Sequence, residues 1–378
     1  MTMRRTVWYN GIENKMWGVN MKLTKPCFYD DFVCIADRCT DNCCIGWEID
    51  IDAAAMERFS QAQGAFGERL RGAIIHGECP TFANTAGERC ALLRQDGLCE
   101  LVLNMGEDSL CDICALHPRF FEWLNDEKEA GLGLCCEEVC RLMFAQREPL
   151  TFVTCDIEEA AEETCDEALR GLLSSARGQL FGILQRREKP LYARLSAMCG
   201  YVRELQDNLD NGVFELPEEA FAECSPEKRG GTLAAFLKML SECEPINTEW
   251  TERITELCRR SGEIARALPA FLAANAATEY RYEHIAVYTL YRWFMKGAFD
   301  GEIVSKAGFS CAAVLAVAAM DCLTWLERGE LTEWDRIVHV KLFSKQAEYS
   351  DEVMDAVFDA LWTEQLAPER LAECLCGG

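Results

Sequence analysis

Thirteen of the chain's 23 cysteines fall between Cys27 and Cys140, and the other ten are scattered over residues 141–378. The stretch CIADRCTDNCCIGW, residues 34–47, holds four of them in eleven positions. Such crowding means a disulfide framework, a metal site or a set of inert core thiols. Dense disulfides rescue small secreted domains that cannot bury enough apolar surface. A chain of 378 residues that is 49% hydrophobic has no such need. Its opening, MTMRRTVWYNGIENKMWGVN, carries positive charge but no continuous apolar stretch, so it does not read as a secretory signal. A cytoplasmic protein is expected. There thiols stay reduced, and clustered thiols mean metal or catalysis more often than bridges.

The asymmetry divides the chain. Met21 opens MKLTKPCFYDDF and reads as a natural start, which leaves 1–20 as a leader. Residues 21–148 form a cysteine-rich, loop-rich metal-binding unit, and 149–378 an all-helical domain, for a mainly α fold overall. The helical reading rests on apolar residues three and four apart in 191–209, 231–243, 250–274, 280–299, 312–329 and 352–366. The acidic stretch 157–168 reads as the junction or as a solvated helix face. Cys199, Cys258, Cys311 and Cys322 sit at apolar positions, where free cysteine serves as a small hydrophobe. The apolar run Ala307–Met320 is too short to span a bilayer. A net charge of −25 disfavours nucleic acid, whose phosphates need lysine and arginine clusters. No membrane and no nucleic-acid partner are expected.

Within the N-terminal unit, Asp52 is placed to cap a helix over Ala53–Phe59. CALLRQDGLCELVL, residues 90–103, reads as a small β-hairpin around RQDG, with Leu92 facing Cys99. Cys90 and Cys99 then become diagonal neighbours on one face, able to deliver two ligands to one site. Cys111 and Cys114 make a C-x2-C pair. Cys136 stands at the start of a helix, where backbone N–H groups favour a thiolate. Thiolates at these spacings suit zinc or iron–sulfur. A zinc ribbon needs two C-x2-C pairs and only one is present. The radical S-adenosylmethionine signature and the ferredoxin runs are absent, as are dinucleotide and phosphate loops. His117 reads as a loop histidine.

These residues resemble a known family. The pattern Cys34-x4-Cys39-x3-Cys43-Cys44-x2-Trp47, with FYDDF ahead of it, is similar to the opening of the flagellin lysine-N-methylases, the FliB family. The likeness continues through Cys90 and Cys99, Cys114 with Pro118-Arg119, and CEEVCRL at 136–142, covering about residues 24–145. Glu137 stands where the family has proline, and His117 where an aromatic is commoner. The resemblance implies S-adenosylmethionine-dependent N-methylation of surface lysines of flagellin, with a [4Fe–4S] cluster. It carries metal ligation onto Cys34, Cys39, Cys43, Cys44, Cys90, Cys99, Cys114 and Cys136. Eight thiols exceed one cubane's need, so one cluster or two metal sites are both open. Lysine methylation needs a neutral amine, an aligned sulfonium and donors for the methionine carboxylate. Glu138 is the candidate base, Arg119 and Arg141 the candidate carboxylate donors, and Trp47 a candidate stacking partner. The alternative is a non-catalytic zinc- or iron-binding or redox module with a helical partner-binding scaffold, zinc being the alternative metal. Inert core thiols are the third reading.

Overall fold

The computed structural model describes residues 19–160, 162–221 and 229–376. In chain order the strands are β1 Val19–Pro26, β2 Ile74–Ile75, β3 Thr81–Phe82, β4 Asn84–Thr85, β5 Arg89–Cys90, β6 Arg119–Leu124, β7 Glu127–Leu132 and β8 Phe152–Glu159. The helices of the first part are α1 Ala53–Ser60, α2 Gly64–Gly72, α3 Glu100–Met105, α4 Asp112–Leu116 and α5 Glu137–Ala145. Then come α6 Glu167–Leu184, α7 Leu191–Asp210, α8 Arg229–Glu242, α9 Thr248–Arg259, α10 Ser261–Ala274, α11 Tyr280–Trp293 and α12 Gly297–Asp300. The chain closes with α13 Val304–Arg328, α14 Glu333–Glu348, α15 Asp351–Leu361 and α16 Pro368–Glu373. The leader expected over 1–20 lies outside the described residues except for Val19 and Asn20, which open β1.

The fold is mainly helical, as expected, with a cysteine-rich N-terminal part of small sheets and loops. The sheet content exceeds the one expected hairpin. Four strands form a mixed sheet in the order β6-β7-β1-β8. In it β1 runs parallel to β7 and antiparallel to β8. The acidic stretch that begins at Ile157 supplies the end of β8, so a strand follows the cysteine-rich part before the helices begin. Its charged residues, Asp156, Glu158 and Glu159, sit on an edge strand, where charge discourages further strand pairing.

Two tyrosines of α11 fasten this sheet to the helices. Tyr288 Oη accepts from Leu132 N–H at 2.6 Å and donates to the same residue's carbonyl at 2.8 Å. Tyr291 Oη donates to Thr24 O at 2.8 Å and Ala130 O at 3.0 Å. One large core consequently runs from Phe28 and Phe32 through Leu124–Leu150 into the helices as far as Leu375. A second, small core stands apart. It gathers Ile49, Ile51, Phe59, Leu70, Phe82, Leu92 and Leu101 with Cys90 and Cys111.

At the centre of the large core lies α13, buried along all of Val304–Thr324. By length and composition it could cross a membrane, being longer than the apolar run Ala307–Met320 that reads as too short to do so. It is instead wrapped by other helices and carries buried Lys306, Asp321 and Thr324. Asp321 is fully enclosed and takes bonds from Arg336, Tyr282 and His339, each at 2.6 Å. The expected helix over 250–274 is two helices that break at Arg260.

Candidate functional site

The loop 34–47 is shaped by its own polar residues. Asn42 Oδ1 accepts from Cys44 N–H at 2.9 Å, and Asn42 Nδ2 donates to Gly97 O at 3.0 Å. Gly46 takes a positive φ of 93°, and its N–H donates to Glu88 O at 3.0 Å. Cys90 N–H donates to Cys44 O at 2.9 Å, which sets the two cysteines side by side.

The expected hairpin over 90–103 is shorter than a hairpin and shifted by one residue. Arg94 N–H closes the turn onto Leu98 O at 2.9 Å, and Leu93, not Leu92, bridges Cys99. The chain turns helical at Glu100, so no second strand follows. Cys90 and Cys99 still reach one place, because both pack in the small core. Cys111 and Cys114 join them there, Cys114 N–H donating to Cys111 O at 3.0 Å.

Five thiols therefore share that core: Cys90 and Cys111 buried, Cys44, Cys99 and Cys114 packed against them. They are close enough to perturb one another. A side-chain hydrogen bond from Cys44 lowers the pKa of Cys43, and one from Cys114 lowers that of Cys111. The partner thiols, Cys44 and Cys114, are pushed up by the same bonds and by burial. Burial also raises Cys90, with Cys99 and Cys111 adding to it. Cys39, Cys43 and Cys136 form the adjoining side. Burial pushes Cys39 up to about 11 and Cys136 up to about 12, and Cys39 and Cys43 both act on Cys136. Cys34, Cys39, Cys43, Cys44, Cys90, Cys99, Cys111, Cys114 and Cys136 are all free thiols. No three histidine, cysteine, aspartate or glutamate side chains among those residues already stand in a metal-holding group.

Helix α14 braces this loop from the other side. Lys345 reaches Asp41 at 2.5 Å and Lys341 reaches it at 3.2 Å. Burial alone would raise the Asp41 carboxyl, but the two ammonium groups hold it below its ordinary value. Glu137, at the first position of α5, accepts from Thr40 Oγ1 at 2.6 Å and lies 3.9 Å from Lys341. Trp47 donates its indole N–H to Cys43 O. Its ring sits 5.5 Å from Tyr349 and 5.8 Å from His117, with Lys345 Nζ 5.4 Å from its centre. Burial, with help from Lys345, drops His117 to about 4, so the imidazole is neutral. The buried Cys135 thiol donates to Tyr349 Oη at 2.9 Å. Arg292 lies over the Phe120 ring at 4.6 Å and pairs with Glu348 at 3.1 Å.

The residues expected to serve chemistry fare differently. Cys34 is exposed, ahead of the turn Ala36–Arg38. Glu138 and Arg141 are bound to each other through two bonds of 2.6 and 2.7 Å, so the carboxylate expected as a base is already engaged. Arg119 packs on the rings of Phe32 and Tyr29, at 5.2 and 6.0 Å. It forms no ion pair with a carboxylate among the described residues. Trp47 does sit beside the cysteines. Sequence reasoning missed Asp41, Glu137, Lys341, Lys345, Arg292 and Tyr349. The resemblance carried no ligand role onto Cys111, which the structure buries beside Cys114.

Comparison with known proteins bears on the part that carries α14. Residues 177–372, just over half of the chain, match the profile of the FliB lysine N-methylase C-terminal domain. Lysine-N-methylases of Salmonella choleraesuis strain SC-B67 and Salmonella typhimurium strain LT2 are each 22% identical over 244 residues. Those alignments cover 60% of this chain and 58% of each relative, so the chain spans less than two thirds of their length. The flagellar biosynthetic protein FliU of Salmonella muenchen is 26% identical over 125 residues, 31% of this chain and 73% of that protein. No solved structure matches the chain. With its helical half under the family profile and its cysteine loop fastened to that half by Asp41, Lys341 and Lys345, the chain belongs to the FliB lysine N-methylase family.

Proposed function

We propose that the chain is an S-adenosylmethionine-dependent methyltransferase for surface lysines of flagellin, working in the cytoplasm with a [4Fe–4S] cluster on its N-terminal cysteines. Family membership and the names of the relatives support the lysine methylation. The flagellar name of one relative supports the substrate. The observation that carries the reading is the joint between the two parts. The thiol-rich loop is locked onto α14, inside the matched region, by buried charges that a mere surface loop does not need.

In the proposed reaction the neutral lysine amine attacks the methyl carbon of the sulfonium. A C–N bond forms, the C–S bond breaks, S-adenosylhomocysteine leaves, and the amine gives up a proton. A cluster held by the N-terminal cysteines would supply a Lewis-acidic iron for binding S-adenosylmethionine. The chain's own part is positional. Asp41, Lys341 and Glu137 fix the loop that carries Cys39 and Cys43. The tilted rings of Tyr349 and His117 pack against Trp47 on that loop. With Glu138 tied to Arg141, its use as a base requires that pair to open.

The test is anaerobic purification, analysis for iron and inorganic sulfide, and incubation with flagellin and methyl-labelled S-adenosylmethionine. Brown protein holding iron and sulfide, and labelled flagellin lysines, are the expected results. Metal-loaded protein that neither binds S-adenosylmethionine nor labels flagellin would leave the non-catalytic metal module instead. Colourless protein with stoichiometric zinc would reject the cluster.

A further inference from the structure

We propose that Cys199 and Cys311 are a redox pair, which a low-molecular-weight disulfide converts in the folded chain into a bridge that staples α7 to α13. Their sulfurs are 3.5 Å apart, close enough for one thiol to donate to the other. A disulfide needs about 2.0 Å, so each sulfur has less than about 1 Å to travel. The two cysteines stand on different helices, 112 residues apart in the chain, and a bond between them would constrain the fold. By contrast, the hydrogen-bonded thiols Cys43 with Cys44 and Cys111 with Cys114 are near neighbours in sequence, whose bridging would pin little. Both side chains of the pair are enclosed in the large core, at 5% and 0% exposure. A small hydrophobe needs no second sulfur beside it. Cys322, on the same helix as Cys311, shows that plain case, with its thiol 4.0 Å from the Ile264 carbonyl.

Helix α16 gates the pair. It packs on both α7 and α13. Arg203, one turn beyond Cys199, pairs with Glu369 at 2.7 Å. Gly308, one turn before Cys311, leaves room for Pro368, whose ring carbon a methyl there would meet at 2.5 Å. The first residues of α16 thus sit one turn away from the pair on each helix. The hydrogen bond to Cys311 and burial hold Cys199 as a neutral thiol, a poor nucleophile while the chain is closed. Reaction follows local opening of α16. The Cys199 thiolate attacks the small disulfide, forms a mixed disulfide and expels one thiolate. The Cys311 thiolate then attacks Cys199 Sγ and expels the second. One S–S bond breaks in the oxidant for the one that forms in the protein, and the two protons of the protein thiols end on the two departing ones.

The experiment holds the reduced full chain, without denaturant, in excess glutathione disulfide. Samples are quenched in acid, alkylated in urea, digested without reduction and mapped by mass spectrometry. A linked Cys199–Cys311 peptide should build up while the exposed Cys27, Cys34 and Cys155 carry glutathione. Dithiothreitol should return both cysteines to thiols. Cys199 and Cys311 recovered as alkylated thiols, from a chain whose exposed cysteines are fully modified, would overturn the pair. So would an equal yield of the linked peptide from chain oxidised in urea, where the fold no longer brings the two together. The gate is tested with Leu371→Ala, which removes a fully buried anchor of α16 and should speed the linkage at least about tenfold. Equal rates in variant and wild type would refute α16 as the gate.

Discussion

At Gly133 the cysteine-rich part meets Tyr349 of the family-matched region with no room for a methyl, and Gly133→Ala should be one of the more damaging single-methyl changes in the chain. Its backbone is not at positive φ, so alanine meets no conformational penalty there. The obstacle is Tyr349. A methyl carbon on Gly133 falls well inside 3.0 Å of the tyrosine oxygen, with Cys135 Sγ at 3.2 Å and Pro118 O at 3.3 Å. The glycine cannot retreat, because its N–H is bonded to Pro118 O at 2.6 Å. Overpacking of this kind costs about 1–3 kcal/mol. Pushing the tyrosine aside also breaks the bond from Cys135, about 1 kcal/mol more. Tyr349→Phe alone should cost about 1 kcal/mol, since it loses that bond without a clash. Combined with Gly133→Ala it removes the offending oxygen, leaving two contacts that are tight but tolerable. The double variant should therefore be more stable than Gly133→Ala, with a coupling of about 1–3 kcal/mol. Urea unfolding of the four proteins, followed by tryptophan fluorescence and far-UV circular dichroism, measures it. If the two changes add within about 0.5 kcal/mol, the steric argument is wrong. Methyl transfer to flagellin should follow the same order, because Tyr349 also supports the Trp47 ring.

Three further outcomes are expected. Asp321→Asn should cost about 3–5 kcal/mol, because it strands the buried Arg336 guanidinium; adding Arg336→Met should recover part of that loss in the same urea assay. Burial holds the enclosed His284 near a pKa of about 4, against 6.5 in the open chain. Between those values the unfolded chain binds a proton that the folded chain refuses. Stability should fall as pH drops from about 6.5 to 4, by about 3 kcal/mol from this residue, and melts of His284→Gln should show a correspondingly shallower pH dependence. Removing metal from the loaded protein with a chelator should open the small core first, since it is separate from the large one. Hydrogen exchange should then rise across residues 44–114 while the helical circular dichroism changes little.

The legible parts of the fold were those where local chemistry and final environment agree. Asp52 caps α1 through Ala55 N–H, and Cys136 stands at the N-cap of α5. Helices α9 and α15 each show an apolar face over a polar one. Helix α14 gave no such sign. Arg336, His339, Lys341 and Lys345 are all buried, each met by a carboxylate from another element or another turn, so the apolar stripe that marks a packed helix is missing. The register at Leu93 was one residue away from expectation because Glu100 begins a helix, which no strand propensity in ELVL announces. The wide sheet escaped notice for a related reason: β8 is an edge strand whose exposed acidic residues look like loop or solvated helix. The resemblance ordered the cysteines by position in a pattern, and position says nothing of burial: Cys34 is exposed and Cys111 enclosed.

The charges at the joint bear on how a thiol centre could exist there. Lys341 and Lys345 face Asp41 and Glu137, and Arg292 faces Glu348. Three buried cations thus meet three anions, and none of these cations is left over to offset thiolates. An acidic chain of net charge −25 offers little help from elsewhere. On the proposed cluster, thiolate charge would be met by the metal ions themselves, the arrangement in which metal binding and folding are one event. On that logic, Lys345→Met and Asp41→Asn together should loosen the loop less than Asp41→Asn alone, which leaves two buried ammonium groups facing no aspartate. Hydrogen exchange over Cys39–Trp47 in the two variants decides it: equal or faster exchange in the double variant would mean that the lysines hold the loop by packing and not by charge.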